Sequence, residues 1–286
     1  MTAEGKAVLV TGCSSGLGKF TAEILRRKGW RVLATARKQA DVARLREEGY
    51  ESFLLDLSSS PSITEAAESA LTLTQGNLHG VVNNAGVEFF GAVEDLSRDD
   101  LRFCFEVNLF GAIELTNRLI PAFRQRRFGR IVFVSASNSN GFGYPFLGPG
   151  NASKGALEIF ATTLNRELRH TGISVSTVCP DELSTSLLGN MLAYSRHVFS
   201  SPNSVHTDTY SLMQKSFAQA PTGNGADKLA VVAEAIATLL ASEKPARRLV
   251  VPLSARLHYL AHAILPEWVQ DVLLFRKMNQ HYGTKL

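Results

Sequence analysis

Thr11-Gly12-Cys13-Ser14-Ser15-Gly16-Leu17-Gly18 decides how this chain folds. An apolar, β-branched run, Ala7–Val10, leads into it, and an amphipathic stretch, Gly16–Lys28, leads out of it. The spacing therefore predicts a strand that passes through a tight glycine turn into a helix. Backbone N–H groups and the positive end of the helix converge at such a turn, which suits a pyrophosphate, and glycine lets the backbone approach the anion closely. The pattern is Gly-x-x-x-Gly-x-Gly instead of the commoner Gly-x-Gly-x-x-Gly. Its force comes from its place between the first strand and first helix of a βαβ unit. Gly12, Ser14, Ser15, Gly16, Leu17 and Gly18 are accordingly expected to hold a dinucleotide.

Outward from the turn, strand-period and helix-period runs alternate. Strands are predicted at Arg31–Ala36, Ser52–Leu55, Gly80–Val82, Ile131–Val134, Ser174–Val178 and Leu249–Val251. Helices are predicted between them, among them one opened by Ser60-Pro61, a long one from about Asp99 to Arg126, and others over Asn151–His170 and Gly225–Leu240. Near-continuous apolar strands separated by helices imply an α/β fold: a Rossmann-type, doubly wound parallel sheet of about seven strands. The second strand ends in Thr35-Ala36-Arg37-Lys38, where an acidic residue would bind the ribose 2′-hydroxyl of NAD. Arg37 and Lys38 suit a 2′-phosphate, so NADP(H) is the expected cofactor.

The 286 residues are 45% hydrophobic and 20% charged with a net charge of +4, an ordinary globular balance that gives no footprint for nucleic acid. Cys13, Cys104 and Cys179 are odd in number and far apart, which predicts free thiols and a reducing, cytoplasmic setting. No signal-peptide layout and no run of ~18 apolar residues is evident, so no transmembrane segment is expected. His258 and His262 are four apart but lack an intervening glutamate, so no metal site is expected. Residues 1–252 read as one NADP-binding domain, with 180–224 a loop expected to cover substrate. Residues 253–286 form a helical C-terminal extension, in which Leu257, Leu260, Ile264, Leu265, Trp268, Val269 and Val272 recur at helical spacing broken by Pro266. Phe142, Phe146, Leu147, Leu187, Leu188, Met191 and Leu192 come from loops at the carboxyl ends of the strands and are expected to line an apolar pocket.

From Val8 to about Val251 the chain resembles the short-chain dehydrogenase/reductase family. Thr11–Gly18 matches its cofactor turn, Asp56-Leu57 its adenine-contacting pair, and Asn83-Asn84-Ala85-Gly86 the stretch that braces the sheet and lines the cofactor. Cys13-Ser14-Ser15, Ala34-Thr35-Ala36-Arg37 and Gly91-Ala92-Val93-Glu94-Asp95 are similar to the branch of 17β-hydroxysteroid and retinol dehydrogenases. The resemblance implies cofactor contacts from Asn83, Ala85, Gly86, Lys154, Pro180 and Thr185, and a homodimer or homotetramer formed through the helices around 100–126 and 151–170. It implies a catalytic Ser137, a Lys154 that also bonds the nicotinamide ribose, and an Asn108 that holds a water in a proton relay.

The family's tyrosine, thirteen residues after the serine and four before the lysine, is here Gly150 in Gly148-Pro149-Gly150-Asn151-Ala152-Ser153-Lys154. Pro180-Asp181 likewise replaces the family's Pro-Gly. Without a phenol, general acid catalysis worth roughly 10²- to 10⁴-fold is missing. Three readings follow. Hydride transfer to an apolar carbonyl (steroid, polyketide, terpenoid or lipid-like) persists with Tyr144, Asp181 or a water on Asn108 and Lys154 as proton source. Alternatively the site runs a non-redox cyclisation, isomerisation or elimination. The third reading is a catalytically inactive cofactor-binding protein, natural or engineered. Retention of Ser137, Lys154 and Asn108 favours an enzyme, and fold and cofactor together favour an oxidoreductase.

Overall fold

A computed structural model describes residues 5–137, 143–180, 186–219, 225–252, 255–256 and 264–282. Seven strands, β1 (Ala7–Val10), β2 (Arg31–Ala36), β3 (Glu51–Leu54), β4 (Leu78–Asn83), β5 (Gly129–Val134), β6 (Ile173–Pro180) and β7 (Arg248–Val251), form one sheet. The order is β3-β2-β1-β4-β5-β6-β7, and every pairing is parallel. All seven match strands expected from sequence; the inner strands are apolar runs buried on both faces, whereas the edge strands β3 and β7 are partly exposed.

Helices α1 (Gly16–Arg27), α2 (Gln39–Glu47) and α10 (Gly225–Ala241) cover one face, where Val8, Val10, Leu25, Val82, Val132 and Ile236 pack together. The other face carries α3 (Ser60–Leu73), α4 (Arg98–Phe105), α5 (Gly111–Arg126) and α6 (Gly148–Glu167) over Leu9, Val81, Leu115, Phe123, Ile131 and Leu157. Strand order reverses between β1 and β4, which opens a crevice at the carboxyl edge where doubly wound sheets bind ligands. The expected single helix from Asp99 to Arg126 is instead α4 and α5 joined by a π turn, Glu106–Phe110, that carries Asn108. The helix expected at Asn151 begins three residues earlier, at Gly148, with Pro149 in its first turn.

Where a loop was expected after β6, the described residues form helices, α7 (Ser186–Tyr194), α8 (Arg196–Phe199) and α9 (Thr207–Gln219). Polar side chains fasten this segment to the chain after β4: Phe90 N donates to Ser195 Oγ (2.7 Å), Ala92 N to Tyr210 Oη (2.9 Å), and the Tyr210 hydroxyl to Asp95. Ser195 and Tyr210 are buried.

In the extension, α11 (Glu267–Tyr282) starts directly after Pro266. Its anchor is Leu274 and Met278, whereas Ile264, Trp268 and Val272 are exposed. The apolar spacing therefore indicated a helix but not its buried face; Leu257, Leu260, His258 and His262 lie outside the described residues.

Candidate active site

β1 delivers Thr11 to the edge of the crevice, and the turn that follows is built to leave backbone bare. Gly12 and Gly16 have φ of +73° and +55°, in the left-handed region that favours glycine. A Cβ on Gly18 would lie 2.1 Å from the Gly12 carbonyl oxygen, so any side chain there breaks the turn. Ser15 stands at the N-cap of α1 without a side-chain hydrogen bond, and the first turn has no acidic residue. By contrast Ser59 caps α3, and Ser97 closes a capping box on α4. The amides at the start of α1 therefore lack a side-chain cap and present positive potential to an anion. The donor set fits a pyrophosphate.

Around this turn, Thr11 Oγ1 accepts from Asn84 N (3.0 Å) and Ala85 N (2.9 Å), and Asn84 Nδ2 donates to the Thr11 carbonyl (2.9 Å). This ties the ends of β1 and β4 together. The Asn83 side chain points the other way, is buried, and donates to Thr116 on α5 (2.9 Å). Asp56 accepts from the Ser58 amide and hydroxyl at 2.9 and 2.7 Å, and Leu57 is buried behind it. Arg37 and Lys38 are exposed at the end of β2, and the Arg37 guanidinium lies 5.8 Å over the Tyr194 ring of α7.

The expected catalytic group is brought together in part. Ser137 follows β5, and its backbone amide donates to the Pro180 carbonyl at the end of β6 (2.8 Å). Lys154, in the second turn of α6, donates to the Val134 carbonyl (2.8 Å). Burial pushes its ammonium below the ordinary lysine value, against the opposing pull of nearby Cys104, Glu88, Cys179 and Glu158. The Lys154 ammonium also faces Gly86, whose Cβ would stand 3.3 Å from Nζ. Tyr144 packs against the main core cluster, as an aromatic wall would. Asp181 and Thr185 lie outside the described residues, as does Phe142; so do the side chains of Leu187 and Leu188. Phe146 and Met191 are buried in the core instead of lining an open pocket, and Leu147 packs partly buried against the same cluster.

Asn108 does something the sequence did not indicate. Its amide clamps the Val87 backbone from both sides, accepting from Val87 N at Oδ1 (2.8 Å) and donating from Nδ2 to Val87 O (2.8 Å) and Ser153 Oγ (2.9 Å). Fixing Val87 fixes the residue after it, Glu88. A Cβ built on Gly150 would lie 1.7 Å from Glu88 Oε2 and 2.1 Å from both Cδ and Oε1. The carboxyl thus occupies the spot where a side chain at position 150 would begin. It accepts from Phe89 N (3.1 Å) and from the Gly150 amide in the first turn of α6, a helix whose own N-cap residue, Leu147, offers no side-chain bond. Desolvation pushes the Glu88 carboxyl up to about 7, although those two amides and Lys154 pull it down.

Sequence reading missed Glu88. The available signal was an acid within the apolar run Val87-Glu88-Phe89-Phe90, two residues past the Asn-Asn-Ala-Gly stretch, in a chain lacking the tyrosine.

The uncapped glycine turn at the switch point of an all-parallel sheet defines a Rossmann-type dinucleotide-binding protein. A family model described as short chain dehydrogenase matches residues 6–194, and the chain belongs to that oxidoreductase family. It is 42% identical over 186 residues to the uncharacterized oxidoreductase YbbO of Escherichia coli K12, covering 65% of this chain and 69% of that one. It is 30% identical over 288 residues to mouse retinol dehydrogenase 7, covering 95% and 88% of the two chains. The crystal structure of a short-chain dehydrogenase from Streptomyces avermitilis superposes with a TM-score of 0.76 at 28% identity, over 99% of this chain and 100% of that one. Among the described residues no helix is long and apolar enough to cross a membrane, and Cys13, Cys104 and Cys179 are free and buried.

Proposed function

We propose that this protein is an NADP(H)-dependent oxidoreductase that interconverts a carbonyl and an alcohol on an apolar substrate. The uncapped α1 turn carries the reading, because Ser15 gives its amides no side-chain cap and its glycines leave room for a pyrophosphate. Arg37 and Lys38 at the end of β2 support the 2′-phosphate form. When bound, the nicotinamide supplies or takes a hydride. The chain's own residues do the rest. Lys154 brings a desolvated positive charge under the crevice, Ser137 is tethered to Pro180, and Asn108 braces the backbone beside Gly86. Tyr194, partly exposed and packed on buried Phe89 with ring centroids 5.7 Å apart, supplies an aromatic surface that supports an apolar substrate. Such an enzyme would work in the cytoplasm, with α7–α9 covering the substrate. Exposed Phe110, Ile159 and Phe160 support pairing of two copies through the α5 and α6 side.

Fluorescence titration tests the cofactor: NADPH should bind at least ~10-fold more tightly than NADH, and Arg37→Asp should reverse that order, a swing of about 1.4 kcal/mol or more. Failure to bind either nucleotide overturns the proposal. NADPH bound but never consumed, while a substrate is converted without change of mass, would favour non-redox chemistry.

A further inference from the structure

We propose that the Glu88 carboxyl is the proton donor and acceptor of this active site, seated against Gly150 where the family's tyrosine would attach. The inference rests on the oxidoreductase reading and names the missing acid.

The geometry is specific. Position 150 must be glycine for the carboxyl to be there, since a Cβ would fall 1.7 Å from Oε2. A side chain at position 150 and the carboxyl in this place therefore exclude each other. Asn108 holds Val87 by both backbone groups, so the Glu88 Cα has a fixed origin. The Phe89 and Gly150 amides then aim the carboxyl across the start of α6. Among the described residues, the titratable groups that face it are Lys154 and Cys104. Cys104 is a thiol pushed up to about 12 by burial and stays neutral, so Lys154 supplies the charge that tunes the carboxyl. With its acidity near neutral, Glu88 can give a proton and take one back at physiological pH.

In the reducing direction, a bound nicotinamide would supply hydride to the carbonyl carbon. The electron pair of the breaking C=O π bond takes the Glu88 proton onto oxygen, giving an alcohol, oxidised nicotinamide and a Glu88 carboxylate that recovers its proton from water. Oxidation runs the same steps backwards and starts from the carboxylate. A tyrosine hydroxyl stands a whole ring beyond its Cβ, so the Glu88 carboxyl lies deeper in the crevice than the phenol it replaces. A slender carbonyl, such as an aldehyde at the end of an apolar chain, reaches it directly or through one water in the place of the ring.

The test compares wild type, Glu88→Gln and Glu88→Asp, with decanal and all-trans-retinal as carbonyl probes. Carbon-13 spectra of glutamate-labelled protein without cofactor, assigned by difference against either variant, should show one carboxyl titrating near pH 7. NADPH titration should give dissociation constants within about threefold of wild type for both variants, which also establishes that they fold. Wild-type kcat/KM for NADPH oxidation should fall as pH rises through 7, Glu88→Gln should lose roughly 10²- to 10⁴-fold, and Glu88→Asp should keep part of the rate with a displaced pH limb. A Glu88→Gln rate within threefold of an active wild type overturns the assignment and leaves the oxidoreductase reading standing. A Glu88 carboxyl titrating in the ordinary range overturns it as well. Wild type that binds NADPH but oxidises none with either probe overturns the oxidoreductase reading, and this assignment with it.

Discussion

Restoring the family's residue by Gly150→Tyr is expected to fail unless Glu88 is removed first. The new Cβ would sit 1.7 Å from Oε2 and 2.1 Å from Cδ and Oε1, far inside a van der Waals contact of about 3.5 Å. Two responses are open to the protein. The carboxyl can swing away and forfeit its bonds from the Phe89 and Gly150 amides, at about 1–3 kcal/mol for a charged acceptor. Otherwise the start of α6 shifts, an overpacking penalty of similar size, about 1–3 kcal/mol. Glu88→Ala vacates the space, so the tyrosine then enters without either penalty. Urea unfolding of wild type, the two single variants and the double variant at pH 8 gives a closed cycle. Gly150→Tyr should destabilise the wild type by about 2 kcal/mol and the Glu88→Ala background by less than about 0.5 kcal/mol, a coupling well above the ~0.5 kcal/mol expected of independent sites. The double variant should also oxidise NADPH faster than Glu88→Ala, through a phenol whose usual value of ~10 is lowered by Lys154. Additive stabilities would refute the reasoning, because they would mean that the carboxyl and the side chain at 150 do not share one space.

Further expectations concern pH and the turn. Glu88 rises from an ordinary 4.5 to about 7 on folding, so the native state holds its proton more tightly, and stability falls as pH rises across that window. The loss reaches at most about 3 kcal/mol above pH 7, less for the partial exposure of the side chain, and Glu88→Gln escapes it. The stability gap between Glu88→Gln and wild type, from denaturant unfolding, should therefore widen between pH 5 and 8; a gap independent of pH contradicts the assignment. His79 behaves in the opposite sense. Burial between Trp30 and Phe128 drives it down to about 4, while Nε2 bonds the Leu240 carbonyl at 3.2 Å. The unfolded chain takes up this proton first, so stability is full above pH 6.5 and is lost as pH falls towards 4. His79→Phe should flatten the acid limb of a thermal-unfolding profile over that range, and an unchanged slope would exclude His79 as its source. Thr11→Val leaves Asn84 N and Ala85 N without their acceptor and should cost about 1–3 kcal/mol. Differential scanning calorimetry and NADPH titration should show both a lower Tm and weaker binding; unchanged values would mean that the Thr11 brace does not position the turn.

Local pattern alone determined the fold. Seven apolar strand runs, the helices between them and the glycine turn can each be read within a dozen residues, because strand burial and helix periodicity are properties of neighbouring positions. The same holds for the gap at Gly150, since Ser137 and Lys154 fix the register on either side. What fills the gap could not be read in this way. Glu88 and Gly150 are 62 positions apart, and they meet only because the crossover from β4 and the start of α6 converge at the carboxyl edge of the sheet. Nor does local pattern distinguish an Asn108 that holds a water from one that clamps Val87, as the difference lies in which backbone is within hydrogen-bond reach. The same applies to the segment after β6, whose helices are tied by polar bonds at Ser195, Ser204 and Tyr210 to the stretch that follows Glu88. Local sequence pattern set the fold class, and tertiary contact decided which carboxyl stands against Gly150.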